Sequence, residues 1–116
     1  MFGRNGAAVR DLSSKLQAIE KSQAIIEFDL DGKILDANDN FLTAMGYSLK
    51  EIKGKHHSIF MAPDHAKSME YREFWANLRN GKFQAGEFLR QGKGGREVWI
   101  QASYNPVIGP DGKPYK

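Results

Sequence analysis

The chain has 116 residues, enough for one hydrophobic core and too few for two ordinary domains. Hydrophobic residues make up 41% and charged residues 27%, the balance of a globular chain rather than a disordered one. There is no cysteine, which excludes disulfides, iron–sulfur clusters, thiolate zinc sites and a cysteinyl–flavin adduct.

The net charge of +3 points to no particular partner. Lys50, Lys53, Lys55, His56 and His57 form a small basic cluster, but a nucleic-acid surface needs more basic residues interleaved with exposed aromatics. No nucleic-acid partner is expected. The apolar runs are far short of a bilayer span, so no direct membrane insertion is expected. The N-terminus lacks the apolar core of a secretory signal. A cytoplasmic location is the expectation.

Residues 1–6 read as frayed, and a helix is predicted from about Ala7 to Lys21. Val9, Leu12, Leu16 and Ile19 are spaced 3, 4 and 3, the seam of a short coiled coil. Such a helix is marginal alone and needs a surface, either its own domain or a second copy. Residues 1–22 are therefore set apart as an amphipathic dimerisation or signal helix.

A strand is predicted over Ala24–Leu30, with Ile26 and Phe28 on one face and Ile25 and Glu27 on the other. Asp31-Gly32 is a hairpin turn, and Lys33–Ala37 is the return strand. Asn38 or Asp39 caps a short helix whose apolar stripe is Phe41, Leu42 and Met45, and Gly46 stops it. Ser48 and Glu51 form a capping box for a second short helix ending at Gly54. Lys55–Pro63 reads as a loop or single turn. A longer helix follows from about Ser68 to Asn80, with Met69, Phe74 and Leu78 near one face. Phe83–Gln91 and Arg96–Val107 are strands joined by the Gly92–Gly95 turn, and Pro110–Lys113 is a further turn. A fifth strand is expected there, truncated by the end of the sequence at Lys116. Strands in this order with helices on one side give an α+β plan.

Residues 23–116 resemble the PAS family of sensory domains. The strings that carry the resemblance are ANDNF and MGYS within 37–48, GKHHSIF at 54–60, FWANLRNGKF at 74–83 and GKGGREVWIQASYNPV at 92–107. They are most similar to PAS domains of bacterial aerotaxis and energy-taxis methyl-accepting chemotaxis proteins. The resemblance implies a PAS fold: a five-stranded antiparallel sheet in the order 2-1-5-4-3 with helices on one face around a pocket. It implies a sensor of redox, oxygen or a small ligand, relaying its state by dimer and helix rearrangement to a downstream chemotaxis signalling domain and kinase array. The alternative is a cofactor-free PAS module that mediates homodimer contacts.

The resemblance also implies a pocket. Alternation puts Val98, Ile100, Ala102 and Tyr104 on one strand face, and the flavin-binding PAS pattern turns that face inward with Ile26, Phe28, Phe88 and Arg90. FAD needs an apolar slot and donors, which Asn38, His57 and Arg90 can supply. Two departures weaken that pattern: Met61 and Ala62 replace a basic pair, and Phe83 replaces a tryptophan, while Asp64 is retained. Haem b, the alternative cofactor, needs an axial histidine. The haem PAS pattern places it on the longer helix, where this chain has Ser68 and Met69. Zinc lacks a third ligand beside His56 and His57. GKGG at 92–95 is not a phosphate loop, and no nucleophile motif occurs, so no enzyme is expected. The opposite sheet face carries Trp99 beside Leu89 and Ile25, an expected interface together with Val9, Leu12, Leu16 and Ile19.

Overall fold

The computed structural model describes the backbone of residues 2–116 and the side chains of residues 6–116. The first helix, α1, spans Phe2–Ser22. It starts four residues or more before the expected fraying ends; Met1 lies outside the described residues. Once a helix is nucleated, each added residue brings one further bond, and this carries it through Gly3 and Gly6 despite about 1 kcal/mol of propensity cost at each. At about 1.5 Å per residue α1 is some 30 Å long, in a molecule of 54 × 30 × 25 Å.

Two antiparallel hairpins follow in sequence. The first joins β1, Ile26–Phe28, to β2, Ile34–Ala37. Its turn is fixed by the Asp29 carboxylate, which accepts from the amides of Asp31 and Lys33 at 3.0 and 2.9 Å. The second joins β3, Gln84–Gln91, to β4, Glu97–Tyr104, in an unbroken eight-pair register. Between the hairpins lie α2 (Asp39–Met45), α3 (Leu49–Ile52), a 3₁₀ turn at His57–Phe60, α4 (Pro63–Ala66) and α5 (Met69–Arg79).

The local punctuation has physical causes. Asn38 caps α2, accepting from the Phe41 amide at 3.0 Å, and Gly46 ends it in the left-handed region at φ 79°. The Ser48–Glu51 capping box starts α3. Glu51 also pairs with Lys93, and that hydrogen bond, with the one from the Ser48 amide, pulls its carboxyl down to about 2. Arg96 donates to the Ala44 carbonyl at 3.0 Å, so the β3–β4 turn is docked on the end of α2. Gly92 is required by that docking: a Cβ there would sit 2.7 Å from the Met45 carbonyl oxygen.

The core has two parts. Ile34, Met45, Ile52 and Phe60 form one; Tyr71, Trp75 and Leu78 of α5 form the other, with Phe28 packed against both. This corrects the expected face of α5. Phe74 and Leu78 pack as expected, but Met69 is 70% exposed and Tyr71 and Trp75 turn inward. Spacings of four and three place Tyr71, Trp75 and Leu78 in one stripe.

The four strands form two two-stranded sheets that are not hydrogen-bonded to each other. Their facing edges, β1 and β4, bound an open seam of about 930 Å³ lined by Ile25, Phe28, Ala102 and Tyr104 among others. In the order 2-1-5-4-3 this seam is the place of the fifth strand. After β4 the chain turns at residues 109–112 and comes back alongside itself through the Ile108–Pro114 bridge. Lys116 reaches Glu27 of β1 at 3.2 Å. The last residues thus begin to enter the seam. The architecture is α+β, with helices on one side of the strands.

Candidate functional site

The segment before the 3₁₀ turn runs beside the first hairpin. Ile34 donates to the Lys55 carbonyl, and His57 donates to the Gly32 carbonyl, each at 2.8 Å. The His56 Nδ1 accepts from the Ser58 amide at 2.9 Å, which starts the turn. The adjacent residue therefore points into the core. His57 is 1% exposed.

Its ring is held at both nitrogens. Nδ1 lies 2.7 Å from the Tyr71 hydroxyl, and Nε2 lies 3.1 Å from the Tyr104 hydroxyl. Phe28, Phe60 and Trp75 meet it edge-on, with centroids 5.2, 5.7 and 5.5 Å away. Burial pushes the His57 imidazole well below its ordinary value, and the nearby Arg90 and His56 charges push the same way. The ring is neutral, so one nitrogen donates and the other accepts. Burial raises both phenols, Tyr71 to about 12.

Arg90 completes the cluster from β3. It is 6% exposed, and its Nε donates to the Tyr104 hydroxyl at 3.2 Å. Its guanidinium carbon lies 4.7 Å from the Phe88 ring centroid and 5.7 Å from that of Tyr104. Among the described residues it has no carboxylate partner. The hydrogen bonds form one chain, Arg90–Tyr104–His57–Tyr71. In one tautomer protons point from Arg90 towards Tyr71. In the other, Tyr71 donates to Nδ1, and Tyr104 accepts from both Nε2 and Arg90, which frees its own proton.

The cluster bounds an inner cavity of about 10 Å³, close to the room one water needs. Six of the eight expected pocket residues line it: Ile26, Phe28, His57, Arg90, Ile100 and Tyr104. Phe88 sits behind Arg90 as a ring face instead. Asn38 lies elsewhere and does a different job. Its Oδ1 accepts from the Ile25 and Phe41 amides at 2.9 and 3.0 Å. Its Nδ2 donates to the Glu20 and Gln23 carbonyls at 3.1 and 2.7 Å. All four hydrogen-bonding positions of the amide are used, joining α1, β1 and α2. Asn40 adds a shared amide, its Nδ2 lying within reach of the Glu20, Lys21 and Gln23 carbonyls.

Sequence reasoning missed Tyr71, Asn40, and the Phe41, Met45 and Phe60 walls of this cavity. An inward stripe of Tyr71, Trp75 and Leu78 was the available signal for Tyr71. Nothing local marks Asn40.

The residues suit the polar edge of a flavin, but the inner cavity alone does not hold its ring system; the open seam of about 930 Å³ shares Ile26, Phe28, Phe41, Met45, Ile100 and Tyr104 with that cavity. A pocket for a ligand of that size spans about 300 Å³ or more, and the inner cavity is some 10 Å³. Haem suits it no better, since both nitrogens of His57 are engaged. Among the described residues no group of three histidine, cysteine or acidic side chains is placed for a metal ion.

Five of the seven expected interface residues are in the open, and Ile25 and Leu89 are partly covered. Val9, Leu12, Leu16 and Ile19 are 51–65% exposed on one stripe of α1, and Trp99 is 69% exposed. Leu89 pairs with Trp99 across the β3–β4 register, on the same outer face. Ile25 is partly covered where the chain leaves α1, at the seam. Among the described residues no helix is long and apolar enough to cross a membrane.

Comparisons with known proteins agree with this geometry. The PAS fold family matches residues 34–116. The biofilm dispersion protein BdlA of Pseudomonas aeruginosa is 45% identical over 106 residues, 91% of this chain and 25% of that protein. The aerotaxis receptor of Escherichia coli is 31% identical over 80 residues, 69% of this chain and 16% of the receptor. This chain thus spans a quarter or less of the length of these relatives. Among solved structures, a PAS domain from Colwellia psychrerythraea superposes with a TM-score of 0.75 at 24% identity, covering 90% of this chain and 88% of that one. A light-oxygen-voltage domain superposes at 0.72 with 23% identity, covering 88% of this chain and 78% of that one. With the fold, the ordered motifs and these matches in agreement, the chain belongs to the PAS family.

Proposed function

We propose that this chain is the sensory domain of a bacterial receptor of the aerotaxis and energy-taxis class. The buried Arg90–Tyr104–His57–Tyr71 cluster is its sensing element and α1 its output. One observation carries the reading: α2 serves both. Phe41 and Met45 of α2 line the inner cavity, while Asn38 and Asn40 at its start hold the Glu20 and Lys21 carbonyls in the last turn of α1. A change in cavity occupancy moves α2, and α1 follows because its end is fixed to that helix. The relatives, a biofilm dispersion protein and an aerotaxis receptor, support a signalling role rather than an enzymatic one.

In this reading the chain works in the cytoplasm as a homodimer. The stripe of Val9, Leu12, Leu16 and Ile19 meets its counterpart in a second copy, and Trp99 and Leu89 add a second contact face. Residues 1–22 act as the signal helix and 23–116 as the sensor. The output passes to a chemotaxis signalling domain and its kinase array. FAD is a candidate occupant on the strength of the donors His57, Arg90 and Tyr104, and it requires the closed core to open. The small inner cavity favours a second reading, a cofactor-free interaction module that dimerises through the same surfaces.

Amide hydrogen exchange separates the two. His57→Gln is expected to change exchange at residues 39–45 and 19–25 as well as around residue 57. Exchange altered only around residue 57 contradicts the sensory reading. It leaves the interaction module.

A further inference from the structure

Resting on the sensory reading of the same cluster, we infer that the inner cavity is a recognition site for a short-chain monocarboxylate, with Arg90 and Tyr104 holding its carboxylate. A guanidinium has five N–H donors. In Arg90 one goes to the Tyr104 hydroxyl and one to the Leu89 carbonyl, and the others have no protein acceptor among the described residues. The group is 6% exposed and has no acidic partner among the described residues. A buried cation without a counter-charge is costly, and ring faces offset only part of that cost. A carboxylate matches the planar fork of the guanidinium edge, and charge-assisted bonds of this kind are among the strongest in a protein.

The surroundings define the rest of the ligand. Tyr104 is free to donate to it when His57 takes the tautomer whose Nε2 carries the proton, so the occupant selects one direction of the hydrogen-bond chain. The remaining walls are apolar: Ile26, Phe28, Phe41, Met45, Phe60 and Ile100. They offer no partner to a second charge, which excludes a dicarboxylate. One cation facing a neutral imidazole suits a monoanion better than a phosphate dianion. The inner cavity of about 10 Å³ has room for about one water, so the body is held to a few carbons at most. Even those need the wall to yield, and Met45, unbranched and adaptable, is the side chain suited to do so.

Propionate is the probe, with propionamide as its neutral isostere and succinate as the dicarboxylate, at matched ionic strength. Propionate is expected to raise the melting temperature saturably and to shift the Tyr104 and Tyr71 resonances. Propionamide and succinate should bind at least tenfold more weakly. Arg90→Met should lower propionate affinity tenfold or more, and Tyr104→Phe, an almost isosteric change, about three- to tenfold. If Arg90→Met does not fold, the Tyr104→Phe comparison decides. Equal binding of propionate and propionamide, propionate binding unchanged in Tyr104→Phe, or no saturable response in the unaltered chain overturns the inference. Hydrogen exchange keeps the two readings apart. Propionate binding that leaves residues 19–25 unaffected upholds the site and sinks the sensory reading. No propionate binding, with His57→Gln still altering residues 19–25, does the reverse.

Discussion

The core around His57 and the helix α1 solve the same physical problem in opposite ways. In the core, six aromatic rings surround one imidazole whose two nitrogens both have partners. In α1, four apolar side chains share a stripe that is 51–65% exposed, and only Ile19 of them reaches the seam. The core is completed within one chain. The stripe of α1 calls for a surface from outside, because exposed apolar area of this kind is stabilised only by burial. The two regions meet at a polar joint, Asn38, whose four hydrogen bonds leave no position unused. A joint of that kind holds orientation, and any strain it receives is passed on.

The contrast can be broken at the core first. Phe60 is buried against Ile34, Met45 and Ile52, so Phe60→Ala should cost about 3–5 kcal/mol by denaturant unfolding, a large share of a small domain's stability. A loss under 1 kcal/mol would mean that the packing around His57 is not what holds the domain.

The joint comes next. Asn38→Ala removes a helix cap and the ties to the Glu20 carbonyl of α1 and the Gln23 carbonyl just beyond it, for a loss of about 2 kcal/mol. Its particular mark should be faster amide exchange at residues 19–25. Asn38→Asp keeps the cap but turns a carboxylate towards the Glu20 and Gln23 carbonyls, and should loosen α1 nearly as much.

The pH dependence is a smaller effect. The folded-state His57 proton affinity is lowered, so the unfolded chain binds the proton more readily. Stability from this group is complete above the unfolded value of about 6.5 and falls as pH drops below it. The slope approaches about 1.4 kcal/mol per pH unit. His57→Gln should remove about one proton from that slope between pH 6.5 and 5. An unchanged slope would mean that the imidazole is not held neutral. The smallest effect on folding belongs to α1. Leu12→Ser with Leu16→Ser should change monomer stability by no more than about 0.5 kcal/mol, yet weaken self-association tenfold or more in sedimentation.

Much of this was legible because it is local. The Asn38 cap, the Ser48–Glu51 box and the glycine stops are encoded within four residues of where they act. The alternation of β4 put Trp99 and Ile100 on opposite faces by period alone, and the resemblance to flavin-binding PAS domains turned the Ile100 face inward. The charge chain was not legible in full. His57 and Tyr71 are separated by 14 residues, and His57 and Tyr104 by 47. Met69 misled because it is apolar and adjacent to the real stripe; α5 buries Tyr71 instead because the phenol finds His57. The role of Asn38 between α1 and β1 depends on where α1 ends in space, which no spacing within α2 records. The seam is tertiary in the same sense: it depends on how two hairpins are set apart by α2 and α5.

The central claim is that α2 and Asn38 couple the core to α1. The chain contains no cysteine, so spin labels can be placed uniquely by Ala8→Cys on α1 and Glu97→Cys at the start of β4. The distance distribution between them is then measured with His57 intact, with His57→Gln, and with both in an Asn38→Ala background, each diluted with unlabelled chain. His57→Gln should shift or broaden the distribution, and the same change should have no effect once Asn38 is gone. A His57→Gln response that persists at full size without Asn38, or no response with Asn38 present, contradicts the coupling.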